Sequence, residues 1–361
     1  MKIGLIIYGS LDTLSGGYLY DRQLVAHLRN AGCDVDIISL LWRNYAYHLS
    51  DNLRPSWLHQ FRNTKYDLIL QDELNHPSLF AINPLLRRIC DCPFISIVHH
   101  LRSSEEHPRH LLPLYRLVEQ IYLRSVDGFI YNSQTTLRIV EQQLGHAKPH
   151  IVAYPAADHR HPPGHQEVLY KIARLVQSDS PLQLLFIGNL MARKGLHTLL
   201  NALARLRSTK WRLHVVGSHQ VDPTYSAAMR HRANTLSLSA HISWHGRVSD
   251  EKLASLLTNS DLLVMPSYEG FGIVYLEAMA YGIPVVASHV GAAPEVVEHA
   301  VSGYLVPHGD DCALAEKLDL LLNNRTQLAT LSYHARKRYE AHPTWHESMS
   351  SAHQWLHKIT H

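Results

Sequence analysis

Two glutamates eight positions apart, Glu269 and Glu277, bracket a segment whose backbone could hold an anion. Gly270 and Gly272 let a backbone approach a ligand closely. A helix is predicted over about 271–281, and the N–H groups of Phe271, Gly272, Ile273 and Val274 at its start have no intrahelical partner, which makes them a ready anion site. At about 1.5 Å rise per residue, Glu277 stands about 9 Å from the helix start. That distance suits an acceptor for ribose hydroxyls when a diphosphate lies on the helix N-terminus and a sugar reaches toward Glu269. Taken alone, the pair would read as solvated surface charges, as most glutamates are.

The elements that position this pair form a parallel βαβ unit. Leu262 to Met265 reads as an apolar strand closed by Pro266; Ser267-Tyr268-Glu269-Gly270 is a polar loop; Gly282 stops the helix, and Val285 to Ala287 is the next strand. The same alternation runs through the whole chain. Residues 2–8 are a first strand, followed by Ser15-Gly16-Gly17, a helix ending at Gly32 and a strand at 35–40. The dinucleotide fingerprint G-x-G-x-x-G is missing there, since Gly9-Ser10-Leu11 runs into Asp12, which weighs against a dehydrogenase. Strands at 67–70 and 94–98 are followed by two polar clusters, Asp72-Glu73-Leu74-Asn75-His76 and His99-His100-Leu101-Arg102-Ser103. Ligands of open α/β sheets bind beyond the carboxyl ends of strands, so both clusters stand where chemistry occurs. Strands at 128–131 and 150–153 complete this half. Residues 155–165 (PAADHRHPPGH) lack apolar periodicity and read as a linker. Beyond it lie strands at 182–187, 212–216 and 242–245, the last followed by Gly246-Arg247-Val248, and late helices over 311–322 and 326–340. The expected architecture is α/β: two Rossmann-like, doubly wound domains over residues 1–160 and 161–340, facing a central cleft.

Composition narrows the function classes. The chain has 361 residues, 46% hydrophobic and 18% charged, the balance of a globular protein with a sizeable core. A net charge of +3 is too small to argue for nucleic acid, although 28 histidines would make the surface cationic below about pH 6.5, which could matter at an anionic membrane face. The four scattered cysteines suit a reducing cytoplasm, and Cys90-Asp91-Cys92 without a second pair is a poor zinc signal. No run of about 18 apolar residues is present to span a membrane.

The run E-G-F-G-I-V-Y-L-E-A-M-A-Y-G-I-P-V-V-A-S at 269–288 resembles the retaining glycosyltransferases of family 4, whose E-x7-E motif leads into EAMA-x-G-x-P-V. The resemblance implies the GT-B fold and a nucleotide-sugar donor. Several segments extend it. Gly16-Gly17 is similar to the paired glycines that face the donor phosphates in the family. Gly188-Asn189-Leu190-Met191-Ala192-Arg193-Lys194-Gly195 is similar to G-[RN]-L-x3-K-G, which implies that Lys194 contacts the diphosphate; many relatives carry a second arginine where Asn189 stands, and either Arg193 stands in for it or the diphosphate rests on Lys194 and backbone donors. The family counterpart of Gly246 brings backbone near the nucleobase. Val98-His99-His100 resembles the V-H-D strand end whose histidine borders the reacting sugar, with His100 in place of Asp. The tail around Thr344-Trp345-His346 resembles the segment that crosses back to the N-terminal domain, so residues 341–361 are expected as a returning helix.

Together these imply hexose transfer to a hydroxyl acceptor (a glycan, a lipid-linked sugar or a small molecule), with His99 and Glu269 at the reacting centre. Front-face attack is implied, with a leaving-group oxygen taking the acceptor proton. Asp34-Val35-Asp36 enters a buried strand instead of ending one, so neither a metal nor another cofactor is expected. The acceptor is expected on the N-terminal domain, at Asp72, His76, His100 and Arg102. Two other readings stay open on the sequence: a nucleotide-sugar epimerase or phosphorylase of the same fold, and a non-catalytic nucleotide-sugar-binding protein.

Overall fold

The computed structural model describes residues 1–53, 58–62, 64–105 and 107–360. It divides into two compact units, one made of Met1–Pro155 with Pro343–His361, the other of Ala156–His342.

The first unit is built on six parallel strands: β1 (Lys2–Tyr8), β2 (Asp34–Leu40), β3 (Leu68–Asp72), β4 (Phe94–Val98), β5 (Gly128–Tyr131) and β6 (His150–Val152). Their order is β2-β1-β3-β4-β5-β6, every pair parallel. β3 and β4 are buried along their whole length, including the polar Gln71, Asp72 and Ser96, as inner strands of a parallel sheet are. At the amino end of β2, Asp34 and Asp36 pair with Lys2 at 3.0 and 3.4 Å. Ser15 caps the helix Gly16–Asn30 by accepting from the Tyr18 N–H at 3.3 Å. The helix Trp345–Thr360 packs on this unit: Trp345 meets Tyr20 edge-on at 5.8 Å between ring centroids.

The second unit repeats the plan with β7 (Leu182–Ile187), β8 (Trp211–Val216), β9 (Ile242–Gly246), β10 (Leu262–Met265), β11 (Val285–Ser288) and β12 (Gly303–Val306). Their order is β12-β11-β10-β7-β8-β9, again all parallel. The strand order reverses between β1 and β3 in the first sheet and between β7 and β10 in the second. Loops diverge at such reversals and leave a crevice at the strands' carboxyl ends. The loops that follow β7 and β10 carry Lys194 and Glu269.

Two boundary differences bear on the candidate site. The helix after β10 runs Ile273–Ala280 and starts later than expected, because Gly272 takes a left-handed conformation (φ 93°) and serves as its N-cap. Phe271 and Gly272 therefore belong to the turn. β3 continues through Gln71 and Asp72, so the first polar cluster begins inside the sheet and is not a solvated loop.

Candidate active site

In the second unit, the turn after β10 brings Glu269 to the loop after β7. Lys194 Nζ donates to Glu269 Oε1 at 2.6 Å, and Ser267 Oγ donates to the same oxygen at 2.8 Å. Arg193 Nη1 lies 4.0 Å from Glu269 Oε2 and donates to the Tyr268 carbonyl at 2.7 Å. Burial alone would push the Glu269 carboxyl up, but the charges of Lys194 and Arg193 outweigh it and hold the group below the usual glutamate value. The stem of Lys194 lies along Gly188, where a side chain would press on its methylenes at 3.3 Å. Asn189 does not replace the missing arginine: its Oδ1 accepts from the Ser218 N–H at 3.3 Å. Among the described residues no side chain caps the helix Ile273–Ala280, so the N–H groups of Ile273 and Val274 receive no capping bond, while that of Tyr275 bonds the Gly272 carbonyl at 2.9 Å.

Glu277 faces a different set of cations. It is buried, accepts from Arg160 Nε and lies 3.3 Å from His159 Nε2. Burial opposes its ionisation, yet the His159 and Arg160 contacts keep its carboxyl below the ordinary range. Arg160 Nη1 also donates to Asp250 Oδ1 at 2.7 Å, at the start of the helix Asp250–Thr258 that follows Gly246 and its loop.

In the first unit, His99 sits at the end of β4 against the helix Gly16–Asn30. Gly17 leaves just enough room, since a Cβ there would stand 3.1 Å from His99 Cδ2. Tyr20 meets the imidazole edge-on at 5.2 Å. His99 Nε2 is 3.4 Å from Oδ1 of Asp21, a fully buried carboxylate. Burial would lower the imidazole, but Asp21, Asp72 and Glu73 together raise it above its ordinary value. Asp72 is pushed up to about 7 by burial and by the Asp21 charge, and Glu73 up to about 8 by burial.

The four residues expected at the acceptor separate into two pairs. Asp72 and His76 are both 2% exposed. Asp72 caps the turn Glu73–Asn75 by accepting from the Leu74 N–H at 2.9 Å, while His76 bonds Tyr45 Oη at 3.2 Å and the Glu73 carbonyl at 3.0 Å. Burial lowers the His76 imidazole to about 4. His100 and Arg102 are part exposed. His100 Nε2 bonds Glu105 at 3.0 Å, and the Arg102 guanidinium lies 4.9 Å from the ring centroid of each of Tyr45 and Tyr115. Among the described residues, three sets bring metal-ligand atoms within 4.8 Å: Asp21-Asp72-His99, Glu73-His76-Glu119 and Asp310-Asp311-Cys312. None includes Glu269 or Glu277.

Residues 171–338 match the family described as Glycosyl transferases group 1. Over that stretch the chain is similar to this family. D-rhamnosyltransferase WbpZ of Pseudomonas aeruginosa is 28% identical over 265 residues, 68% of this chain and 66% of the relative. A D-inositol 3-phosphate glycosyltransferase of Corynebacterium urealyticum is 30% identical over 64% of this chain and 56% of its own. The chain thus spans less than two thirds of the length of these curated relatives. Among solved structures, sucrose-phosphate synthase from Thermosynechococcus elongatus superposes with a TM-score of 0.82 at 22% identity, over 99% of this chain and 98% of that one. HepE of Anabaena, crystallised with UDP and glucose, gives 0.77 at 20% identity over 99% and 100%. At such identities the shared property is the fold, and it is GT-B.

Several residues around the candidate site escape a reading along the sequence. Arg160 and His159 fall in the Pro-rich linker, where nothing in the spacing points to Glu277. Asp21 is one helix residue among fifteen, and Glu119 lies on the far helix Leu112–Ser125, yet accepts from the Ser103 N–H at 2.8 Å. For Asp21 and Glu119 the signal in the sequence is a charged side chain on an otherwise apolar helix face.

Proposed function

We propose that the protein is a retaining glycosyltransferase that moves a hexose-type sugar from a nucleotide-diphosphate sugar to a hydroxyl acceptor, without a metal. The observation that carries this reading is the pair Glu269 and Glu277. Both are buried, both are kept ionised by their own cations, and both are mounted about the Gly272 turn at the switch point of the second sheet. Lys194, Arg193 and the N–H groups of Ile273 and Val274 supply the positive field for a leaving diphosphate, the task a metal performs elsewhere. Glu277 takes the ribose hydroxyls and Glu269 the hydroxyls of the sugar. We assign Gly16, Gly17 and His99 of the N-terminal unit to the donor phosphates and reacting sugar, and the acceptor to the same unit. His100 and Arg102 contact the acceptor directly, while Asp72 and His76, being buried, hold their neighbours in place. UDP in the HepE crystal and the GDP-mannose dependence of a mannosyltransferase relative from Corynebacterium glutamicum support a nucleoside diphosphate as donor handle.

The test separates the two carboxylates. Glu277→Ala should weaken binding of the bare nucleoside diphosphate by about 1.5–3 kcal/mol, the scale of a hydrogen bond to a charged group. Glu269→Ala should lower turnover and leave that affinity nearly intact. Equal damage to diphosphate binding by both substitutions would refute the division of roles, and abolition of turnover by a chelator would refute the metal-free reading.

A further inference from the structure

Among the described residues, the hydrogen bond and the ion pairs made to the Glu277 carboxylate run through one oxygen. Oε1 receives Arg160 Nε and faces His159 Nε2, while no hydrogen bond from the described residues reaches Oε2. The terminal torsion of a glutamate is broad, so a free carboxylate would sample many orientations. A guanidinium fixed on one oxygen sets the plane of the group and leaves the second oxygen as the acceptor.

Arg160 can do this because it is itself held at two points. Its Nη1 donates to Asp250 at 2.7 Å, and Asp250 opens the helix that follows the Gly246 loop after β9. One planar side chain therefore ties the helix after β9 to the helix after β10. Its side chain is 21% exposed and that of Glu277 7%, so the link is weakly screened, whereas Asp250 at 86% is a solvated anchor. A lysine, a single point charge on a flexible stem, could not span both carboxylates in this way.

We infer that Arg160 is the positioning residue of the nucleoside subsite. It orients Glu277 so that Oε2 meets the ribose hydroxyls, and it couples that carboxylate to the loop after β9. The inference rests on the reading of Glu277 as the ribose acceptor, and its test keeps the two apart.

Calorimetric titration of the full chain with UDP and GDP, and with their 2′,3′-dideoxy counterparts, measures hydroxyl discrimination as a ratio of affinities. Wild type should bind at least one diphosphate, about 10- to 100-fold more tightly than its dideoxy form. Glu277→Ala should bring that ratio close to one. Arg160→Ala should do the same, with dideoxy affinity changed less than about threefold, and Arg160→Lys and Asp250→Asn should give intermediate ratios. A wild type that binds neither diphosphate, or does not discriminate, overturns the reading of Glu277 and the inference with it. Discrimination that disappears in Glu277→Ala but persists in full in Arg160→Ala overturns the role of Arg160 alone. Should Arg160→Ala not fold, an undiminished ratio in both Arg160→Lys and Asp250→Asn has the same force.

Discussion

Replacing Lys194 by alanine removes the shortest contact to Glu269 and leaves a carboxylate whose side chain is 11% exposed without its main counter-charge. Breaking a buried ion pair from one side costs about 3–5 kcal/mol. The low end applies here, because Ser267 still donates to Oε1 and Arg193 stands 4.0 Å from Oε2. About 3 kcal/mol in a unit of this size should lower Tm by about 6–12 °C. The double variant Lys194→Ala/Glu269→Gln removes the stranded charge and should recover part of that loss, with a coupling of about 1–3 kcal/mol. Acid sensitivity supplies the second readout. The folded-state Glu269 carboxyl lies below its unfolded value, so its contribution is present above the ordinary glutamate pKa and is lost as pH falls through the folded one. Lys194→Ala should shrink that loss. Differential scanning fluorimetry between pH 3.5 and 7.5 follows both quantities. A Tm within about 2 °C of wild type, or a double variant that loses the sum of the single losses, would refute this account of the pair.

Three further outcomes are expected. Gly17→Ala places a methyl 3.1 Å from His99 Cδ2 and should cut turnover about tenfold by displacing the ring, with little further loss when added to His99→Ala; additive losses would separate the two residues. Burial raises Glu73 to about 8, so the fold favours its protonated form: that stability is complete below about pH 4.5 and is lost as pH rises toward 8. Glu73→Gln should therefore flatten the decline of Tm between pH 5 and 8, and an unchanged slope would contradict the burial argument. Arg102→Ala should raise the acceptor KM while slow acceptor-free donor hydrolysis survives, with Arg102→Lys intermediate because it keeps the charge and loses the stacking on Tyr45 and Tyr115. Equal loss of hydrolysis and transfer would move Arg102 away from the acceptor.

What could be read from the sequence was local in the chain. Glu269, Gly270, Gly272 and Glu277 lie within nine residues, and one turn and one helix fix their relation. Lys194 follows β7 by a short loop, and strand ends announce themselves by polarity, which placed His99. The partners of these residues could not be read, because they come from remote segments: Arg160 reaches Glu277 across 117 positions and Lys194 reaches Glu269 across 75. Asp72 and His76 show the same limit from the other side. Polar residues after an apolar run suggest solvent, yet here both are buried, His76 bonding Tyr45, and their acidic neighbours Asp21 and Glu119 come from distant helices. Spacing also misplaced the helix start by two residues, because the left-handed turn at Gly272 leaves no mark beyond the glycine itself.

The return of the helix Trp345–Thr360 to the first unit has a consequence for how the protein is made. The sheet of β1 to β6 emerges from the ribosome first, but Tyr20 and Gly128 wait for Trp345 and Trp355, which are synthesised only after the whole of Ala156–His342. At roughly 5–20 residues per second, that delay is on the order of ten seconds or more. During it the first unit exposes the apolar ground on which its last helix will rest, while the second unit, continuous in sequence, can complete itself as it appears. Nascent-chain proteolysis should accordingly find the later-made half protected before the earlier one, the reverse of synthesis order.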